Sequence, residues 1–110
     1  MNILEKIKRQ IQDNPILIYM KGNPEVPQCG FSSQAVTALS SCGEKFAYVD
    51  ILENPDIRKE LPKYANWPTF PQLWVDGKLI GGCDIIMEML KNSTLHKLIA
   101  STVLKHKQIN

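Results

Sequence analysis

The residue best suited to chemistry is a cysteine placed where a helix is predicted to begin. Cys29 follows a loop rich in glycine and proline (residues 21–28), and Gly30 directly after it opens the predicted helix. A free thiol with a pKa near 8.5 is only about 3% thiolate at pH 7. The helix N-terminus favours the thiolate, and a nearby cation such as Lys21 adds to this effect. The position therefore predicts a reactive thiolate; the alternative is a buried structural cysteine.

The chain offers this thiol no obvious partner within its own motif. Ser32 stands where a dithiol Cys-x-x-Cys enzyme carries its second thiol. Cys42 lies at the far end of the predicted helix, too distant to bridge to Cys29 without unfolding. Cys29 is therefore expected either to react with an external thiol or to bind a soft metal. Cys42 shares an apolar face with Val36 and Leu39, which favours a place in the core.

Composition limits the class of protein. The 110 residues are 44% hydrophobic and 22% charged, which predicts one compact domain over residues 1–110, with residues 105–110 as a solvated tail. A net charge of +2 is too small to argue for nucleic acid as a partner. No apolar run approaches the ~20 residues that span a bilayer, and charges interrupt the N-terminus where a signal peptide is apolar. We expect no membrane partner, a cytoplasmic location and three reduced cysteines.

Helices and strands are predicted to alternate around Cys29. Apolar residues with helical spacing, short apolar runs and turn residues give the order α-β-α-β-α-β-β-α-α. The predicted elements are a helix from residue 3, a strand at 16–20, a helix at 30–42, a strand at 46–51, a helix from 55, strands at 72–75 and 78–81, a helix from about 84, and a last helix over 95–103.

A few residues are predicted to set the ends of these elements. Asn2 and Asn54 are expected to cap helices, and Asp84 is a further candidate cap. Pro62 is expected to end or kink the third helix. The Asp-Gly pair at 76–77 predicts a tight hairpin.

The order of elements predicts the fold class. Two strands joined by a helix are expected to be parallel with a right-handed crossover, and the last two strands form an antiparallel hairpin. The result is an α/β fold with a mixed four-stranded sheet and helices on both faces, which is the thioredoxin-like arrangement.

Four motifs in order resemble a monothiol glutaredoxin of the CGFS class, in its single-domain bacterial form. The resemblance covers about residues 3–103. The motifs are Lys-Gly at 21–22, Cys-Gly-Phe-Ser at 29–32, Trp-Pro-Thr-Phe-Pro at 67–71 and Gly-Gly-Cys-Asp at 81–84.

The resemblance implies a site for glutathione, which carries two carboxylates, one ammonium and one thiol. Lys21 and Arg58 are implied to face its glycyl carboxylate, for which arginine offers a planar pair of donors. Lys21 directly follows a predicted core strand and is also implied to lie near the sulfur. Without the resemblance, Arg58 could equally be a charged residue on the solvent-exposed face of its helix.

The other implied glutathione contacts come from two later motifs. Phe70, before a cis-proline at Pro71, is implied to pair by its main chain with the cysteinyl unit of glutathione. Gly82 permits a close backbone approach, and the N–H groups of Cys83 and Asp84 are implied to bind the γ-glutamyl carboxylate. The Asp84 side chain can bind the ammonium. Whether the tryptophan of the third motif shapes the site or only packs stays open.

The resemblance also implies a [2Fe–2S] cluster between two protomers. Such a cluster needs four thiolates, which one Cys29 and one glutathione from each protomer would supply. A homodimer that carries clusters to apo iron–sulfur proteins, with a BolA-type protein as a further partner, is the favoured function. A glutathione-dependent enzyme that reduces mixed disulfides through Cys29 is the rival hypothesis, and a non-redox interaction module is the third.

Overall fold

The computed structural model describes residues 2–109, and the side chains of residues 2–107. The helices and strands follow the predicted order. They are α1 (Ile3–Asp13), β1 (Ile16–Met20), α2 (Gly30–Ser40), β2 (Ala47–Asp50), α3 (Pro55–Ala65), β3 (Gln72–Val75), β4 (Lys78–Gly81), α4 (Cys83–Lys91) and α5 (Thr94–Ile109).

The strands form one mixed sheet in the order β2-β1-β3-β4. β1 and β2 are parallel, as predicted for two strands joined by a helix, and Leu17 pairs with Ala47. β1 pairs antiparallel with β3, and β3 with β4. Asp76 and Gly77 form the tight turn between β3 and β4, and both have positive φ (50° and 77°). The predicted four-stranded sheet with a C-terminal hairpin is confirmed.

Helices cover both faces of this sheet because successive side chains of a strand point in opposite directions. Ile16, Ile18 and Met20 of β1 pack on one face with α2, α4 and α5. Leu17 and Tyr19 point the other way and pack with α1 and α3. All of β1 is buried, which agrees with its continuous apolar run. Two separate core layers therefore fix the end of β1, where Lys21 begins the loop to Cys29.

The predicted helix caps differ in their outcome. The Asn2 side chain accepts a hydrogen bond of 2.8 Å from the Glu5 amide, as predicted. Asn54 occupies the cap position of α3, but its side chain makes no capping bond and donates instead to a carbonyl of β2. Asp84 is not a cap, because α4 begins one residue earlier and Gly82 takes the cap position. In α3 the Ile57 amide instead donates to the Asp56 carboxylate at 2.9 Å, whereas Gly82 has no side chain that could bind the first N–H groups of α4.

Of the two effects predicted for Pro62, the end of α3 is wrong and the kink stays a prediction. The helix continues to Ala65 and ends where Asn66 adopts a left-handed conformation with φ 50°. Proline removes one helical hydrogen bond and disfavours a helix interior. Ile57 and Leu61, both fully buried, anchor this helix to the core and outweigh that loss.

Part of the predicted solvated tail, residues 105–109, belongs to the last helix. α5 continues through Ile109, while Asn110, like Met1, lies outside the described residues. Lys105 and His106 bind the Asp76 carboxylate at 3.3 and 2.6 Å. The bond from His106 is the main cause of a lowered pKa of Asp76, and Lys105 adds to it. The C-terminal turns of α5 are thus attached to the β3–β4 hairpin.

Candidate active site

An open groove of about 720 Å³ brings together segments that lie far apart in the chain. It contains all the residues that the family resemblance implied for glutathione. Its walls come from the loop after β1, the start of α2, α3, the loop before β3, and the start of α4. The lining residues are Lys21, Phe31, Arg58, Pro62, Trp67, Pro68, Thr69, Phe70, Pro71, Gly82, Cys83, Asp84 and Ile85.

Cys29 lies beside this groove as the N-cap residue of α2. It is partly exposed and unbridged. Its Sγ accepts a hydrogen bond of 3.3 Å from the Ser32 amide, and the hydroxyl of Ser32 lies 3.5 Å from the same sulfur. Ser32 itself is fully buried. The sulfur therefore stands at a helix N-terminus with fixed donors aimed at it, which is the arrangement predicted for a thiolate.

The surroundings of Cys29 lower its pKa. Partial burial acts in the opposite direction and raises the pKa, but several donors outweigh it. The Ser32 hydroxyl, the amides of Ser32 and Phe31, and the charge of Lys21 all favour the anion. Burial raises the pKa of Cys42, and burial together with the charges of Asp84 and Cys29 raises the pKa of Cys83. Cys29 is the one cysteine whose environment favours ionisation.

Ser32→Ala is expected to raise the pKa of Cys29, because it removes the hydroxyl donor and keeps the amide. The alkylation rate of Cys29 near neutral pH should fall about threefold to tenfold, which corresponds to about 0.7–1.4 kcal/mol for one ordinary hydrogen bond. The rates should converge at high pH, where both proteins are fully ionised. The measurement is the rate of iodoacetamide labelling against pH, followed by mass spectrometry. Ser33→Ala is the matched control, and an unchanged profile in Ser32→Ala would contradict the assigned role of the hydroxyl.

The loop that carries Lys21 is held at its backbone. The Lys21 amide donates to the buried Ser32 hydroxyl at 3.1 Å, and the Lys21 carbonyl accepts from the Gln28 amide at 2.9 Å. Gly22 follows with φ 87°, and a Cβ there would lie 2.5 Å from the carbonyl oxygen of Val26. Only glycine fits this position without movement of the backbone, so Gly22 is a structural requirement of the loop.

The cis-proline segment is held from beneath by a residue that sequence reasoning missed. The Phe70–Pro71 peptide bond is cis, as the family resemblance implied. The Gln72 side chain is fully buried and donates to the carbonyls of Trp67 and Thr69 at 3.1 and 3.3 Å. Its oxygen accepts from the Trp74 indole at 3.1 Å. In the sequence, the only indication of this role was that a polar residue, Gln72, stands at the start of an apolar strand.

The start of α4 forms another wall of the groove. Gly82 and Cys83 are buried, whereas Asp84 is exposed in the first turn. The Cys83 sulfur lies 3.5 Å from the Gln34 side-chain oxygen and has a raised pKa. This placement supports a backbone role for Cys83, and a helix N-terminus is suited to an anion.

Arg58 and Trp67 complete the walls. Arg58 is exposed on α3 and lines the groove, as predicted. Trp67 also lines it and is partly buried. Its indole nitrogen is buried and has no hydrogen-bond partner among the residues that the structure describes. A Cβ on Gly82 would lie 3.5 Å from this nitrogen. Trp67 thus packs against the start of α4 and shapes the groove.

The fold and the site define a glutaredoxin. Residues 16–80 match the glutaredoxin family, and the chain belongs to that family. Curated relatives named Glutaredoxin 4 share most of its length. The protein of Buchnera aphidicola from Acyrthosiphon pisum is 74% identical over 106 residues, which cover 96% of this chain and 98% of the relative. That of Escherichia coli K12 is 69% identical over 104 residues, which cover 94% and 90%. The family resemblance drawn from the four motifs is confirmed.

Solved structures agree with this assignment. The solution structure of reduced poplar apo GrxS14 is 37% identical, with a TM-score of 0.78 over 93% of this chain and 94% of that chain. The crystal structure of a buckwheat glutaredoxin–glutathione complex is 22% identical, with a TM-score of 0.77 over 90% of this chain and 88% of that chain. At this level of identity, the likeness supports the fold and nothing further. The predicted thioredoxin-like fold is confirmed. Within residues 2–109, the helices are too short or too polar to cross a bilayer.

Proposed function

We propose that this glutaredoxin binds glutathione in its groove and, with a second protomer, carries a [2Fe–2S] cluster for delivery to apo iron–sulfur proteins. The observation that carries the proposal is the position of one ionisable thiol, Cys29, beside a groove with charges complementary to glutathione. Ser32 replaces the second thiol of a dithiol enzyme. The sulfur of Cys29 is therefore available to an external partner.

The chemistry of the groove supports glutathione as the ligand. Lys21 and Arg58 contribute two cations to the lining of the groove, and Arg58 can bind a carboxylate with two parallel donors. Asp84 and the start of α4 also line it, and these can bind the ammonium and the carboxylate of a γ-glutamyl group. Phe70 is a further lining residue, and its main chain can pair with the extended tripeptide. The buckwheat relative of similar fold is itself described as a glutathione complex.

The cysteines support a cluster held between chains. A [2Fe–2S] cluster is held by four thiolates. Cys29 is the suitable thiol, whereas the raised pKa values of Cys42 and Cys83 disfavour them as ligands. Among residues 2–109 no three His, Cys, Asp or Glu side chains lie close enough to hold a metal ion. We propose that the other thiolates come from the Cys29 of a second protomer and from two glutathione molecules.

Such a site suits transfer. Glutathione is a dissociable ligand, so the cluster can be released to an apo-protein without unfolding the carrier. We propose a BolA-type protein as a further partner and the reducing cytoplasm as the location, where Cys29 stays a thiol.

The decisive experiment is anaerobic reconstitution with iron, sulfide and glutathione. We expect visible charge-transfer absorption, a dimer by light scattering, and loss of both when glutathione is removed.

A protein that stays colourless and monomeric but rapidly reduces glutathionylated substrates would instead establish the second candidate function, an oxidoreductase. The lowered pKa of Cys29 favours that candidate, because a thiolate is also the species that attacks a disulfide. Apo-state binding to a BolA-type protein that survives Cys29→Ser would support the interaction module.

Lys21→Ala is expected to weaken glutathione binding about tenfold, as for loss of one charge-assisted contact. Cluster retention at limiting glutathione should fall with it, while the thermal midpoint stays near that of the parent. Calorimetric titration with glutathione and the decay of visible absorption measure the two effects. Lys78→Ala removes an exposed lysine of β4 outside the groove and serves as the charge control. Equal retention in both variants would remove Lys21 from the site.

A further inference from the structure

A carboxylate at the end of β2 holds the loop that carries Lys21. Asp50 is the last residue of β2, and its Oδ1 accepts hydrogen bonds of 2.9 Å from the Gly22 and Leu52 amides. Gly22 is buried, so its N–H has little access to water as a substitute. One oxygen therefore joins the segments that follow the two parallel strands.

From Asp50 a continuous series of contacts leads to the reactive sulfur. Gly22 is bonded in the chain to Lys21, whose amide donates to the Ser32 hydroxyl at 3.1 Å. That hydroxyl lies 3.5 Å from the Sγ of Cys29. Asp50 is thus separated from the thiol by two backbone residues and one buried side chain.

We propose that Asp50 is a positioning residue, which holds Lys21 and the Ser32 hydroxyl in their places beside the Cys29 sulfur and the glutathione groove. The role toward glutathione rests on the proposed function, whereas the placement of Lys21 and Ser32 beside the sulfur does not. The groove does not include Asp50, and neither motif around Lys21 or Cys29 contains it. Its role is exerted entirely through the loop.

The sign of the effect separates positioning from simple electrostatics. Removing a negative charge near a thiol favours the thiolate, so loss of the Asp50 charge alone would lower the pKa of Cys29. Loss of positioning moves Lys21 and the hydroxyl of Ser32, both of which favour the anion, and raises the pKa of Cys29. The two explanations therefore predict opposite shifts.

Three substitutions test the proposal. Asp50→Ala removes the acceptor, Asp50→Glu keeps the charge but displaces the acceptor by one methylene, and Asp50→Asn loses the charge but keeps an oxygen in place. We expect the Cys29 alkylation rate near neutral pH to fall about threefold to tenfold in the first two, and to stay within about twofold in Asp50→Asn. Glutathione affinity should follow the same order. Glu53→Gln, a charge loss in the exposed turn after β2, is the control.

The outcomes are distinguishable. An unchanged or faster alkylation in both Asp50→Ala and Asp50→Glu overturns the proposal, as does an Asp50→Asn variant as slow as Asp50→Ala. Circular dichroism verifies that each variant is folded. If Asp50→Ala does not fold, the comparison of Asp50→Glu with Asp50→Asn decides whether Asp50 positions the loop. A parent protein that fails to bind glutathione contradicts the proposed function, while its alkylation profiles still decide the role of Asp50.

Discussion

Replacing Cys29 by serine is expected to abolish cluster binding while leaving the fold intact. A hydroxyl does not supply the thiolate that an iron–sulfur cluster requires, and two of the four proposed ligands are lost per dimer. Serine is among the preferred N-cap residues, so α2 should keep its first turn. After anaerobic reconstitution, the variant should bind no iron above background and remain monomeric, with a thermal midpoint close to that of the parent.

Cys42→Ser is the matched control for this experiment. Cys42 is partly buried against the core, and its raised pKa disfavours ionisation. That variant should reconstitute like the parent, apart from any loss of stability. Visible charge-transfer absorption that persisted in Cys29→Ser would show that the cluster is held elsewhere and would refute the proposed ligand set.

Gly22→Ala should cause a large loss of stability. At φ 87° an alanine is strained by about 1–2 kcal/mol, and its Cβ would lie 2.5 Å from the Val26 carbonyl oxygen. Relieving that overlap requires backbone movement, which adds about 1–3 kcal/mol. The free energy of unfolding should therefore fall by about 2–5 kcal/mol, as measured by urea denaturation.

Gly43→Ala separates the two causes. Gly43 has a similar φ of 73°, but a Cβ there would have no heavy atom within 4 Å. It should lose only about 1–2 kcal/mol, the contribution of strain alone. Cys29 alkylation should slow in Gly22→Ala and stay unchanged in Gly43→Ala, because only the former displaces the Lys21 loop. Equal losses of stability in the two variants would contradict the collision at Gly22.

The sequence predicted those features whose cause lies within a short segment. The apolar run of β1, the Asp-Gly turn at 76–77 and the placement of Cys29 before α2 each follow from local preferences. The relative positions of Lys21, Arg58 and Asp84 came from the family resemblance, because spacing alone does not show that distant segments meet. The structure places all of them around one groove.

The features that were missed depend on contacts that local residue preferences do not specify. Asp50 bonds to Gly22 across two strands, and Gln72 bonds to the carbonyls of Trp67 and Thr69 in the irregular segment before β3. Pro62 was assigned by its local preference, which burial of the same helix overrides. The continuation of α5 beyond residue 103 similarly brings Lys105 and His106 to Asp76 on another element.

The capping role of Cys29 has a consequence for any covalent adduct of its sulfur. The hydrogen bonds that hold the anion also hold the first turn of α2, so ionisation of this group and helix stability are thermodynamically linked. With a depressed pKa in the folded chain, this contribution is present at high pH and is lost as the pH falls through that pKa. A disulfide on the sulfur removes the charge and the same contribution with it. We therefore expect Cys29 to be a good leaving group when an external thiol attacks such an adduct.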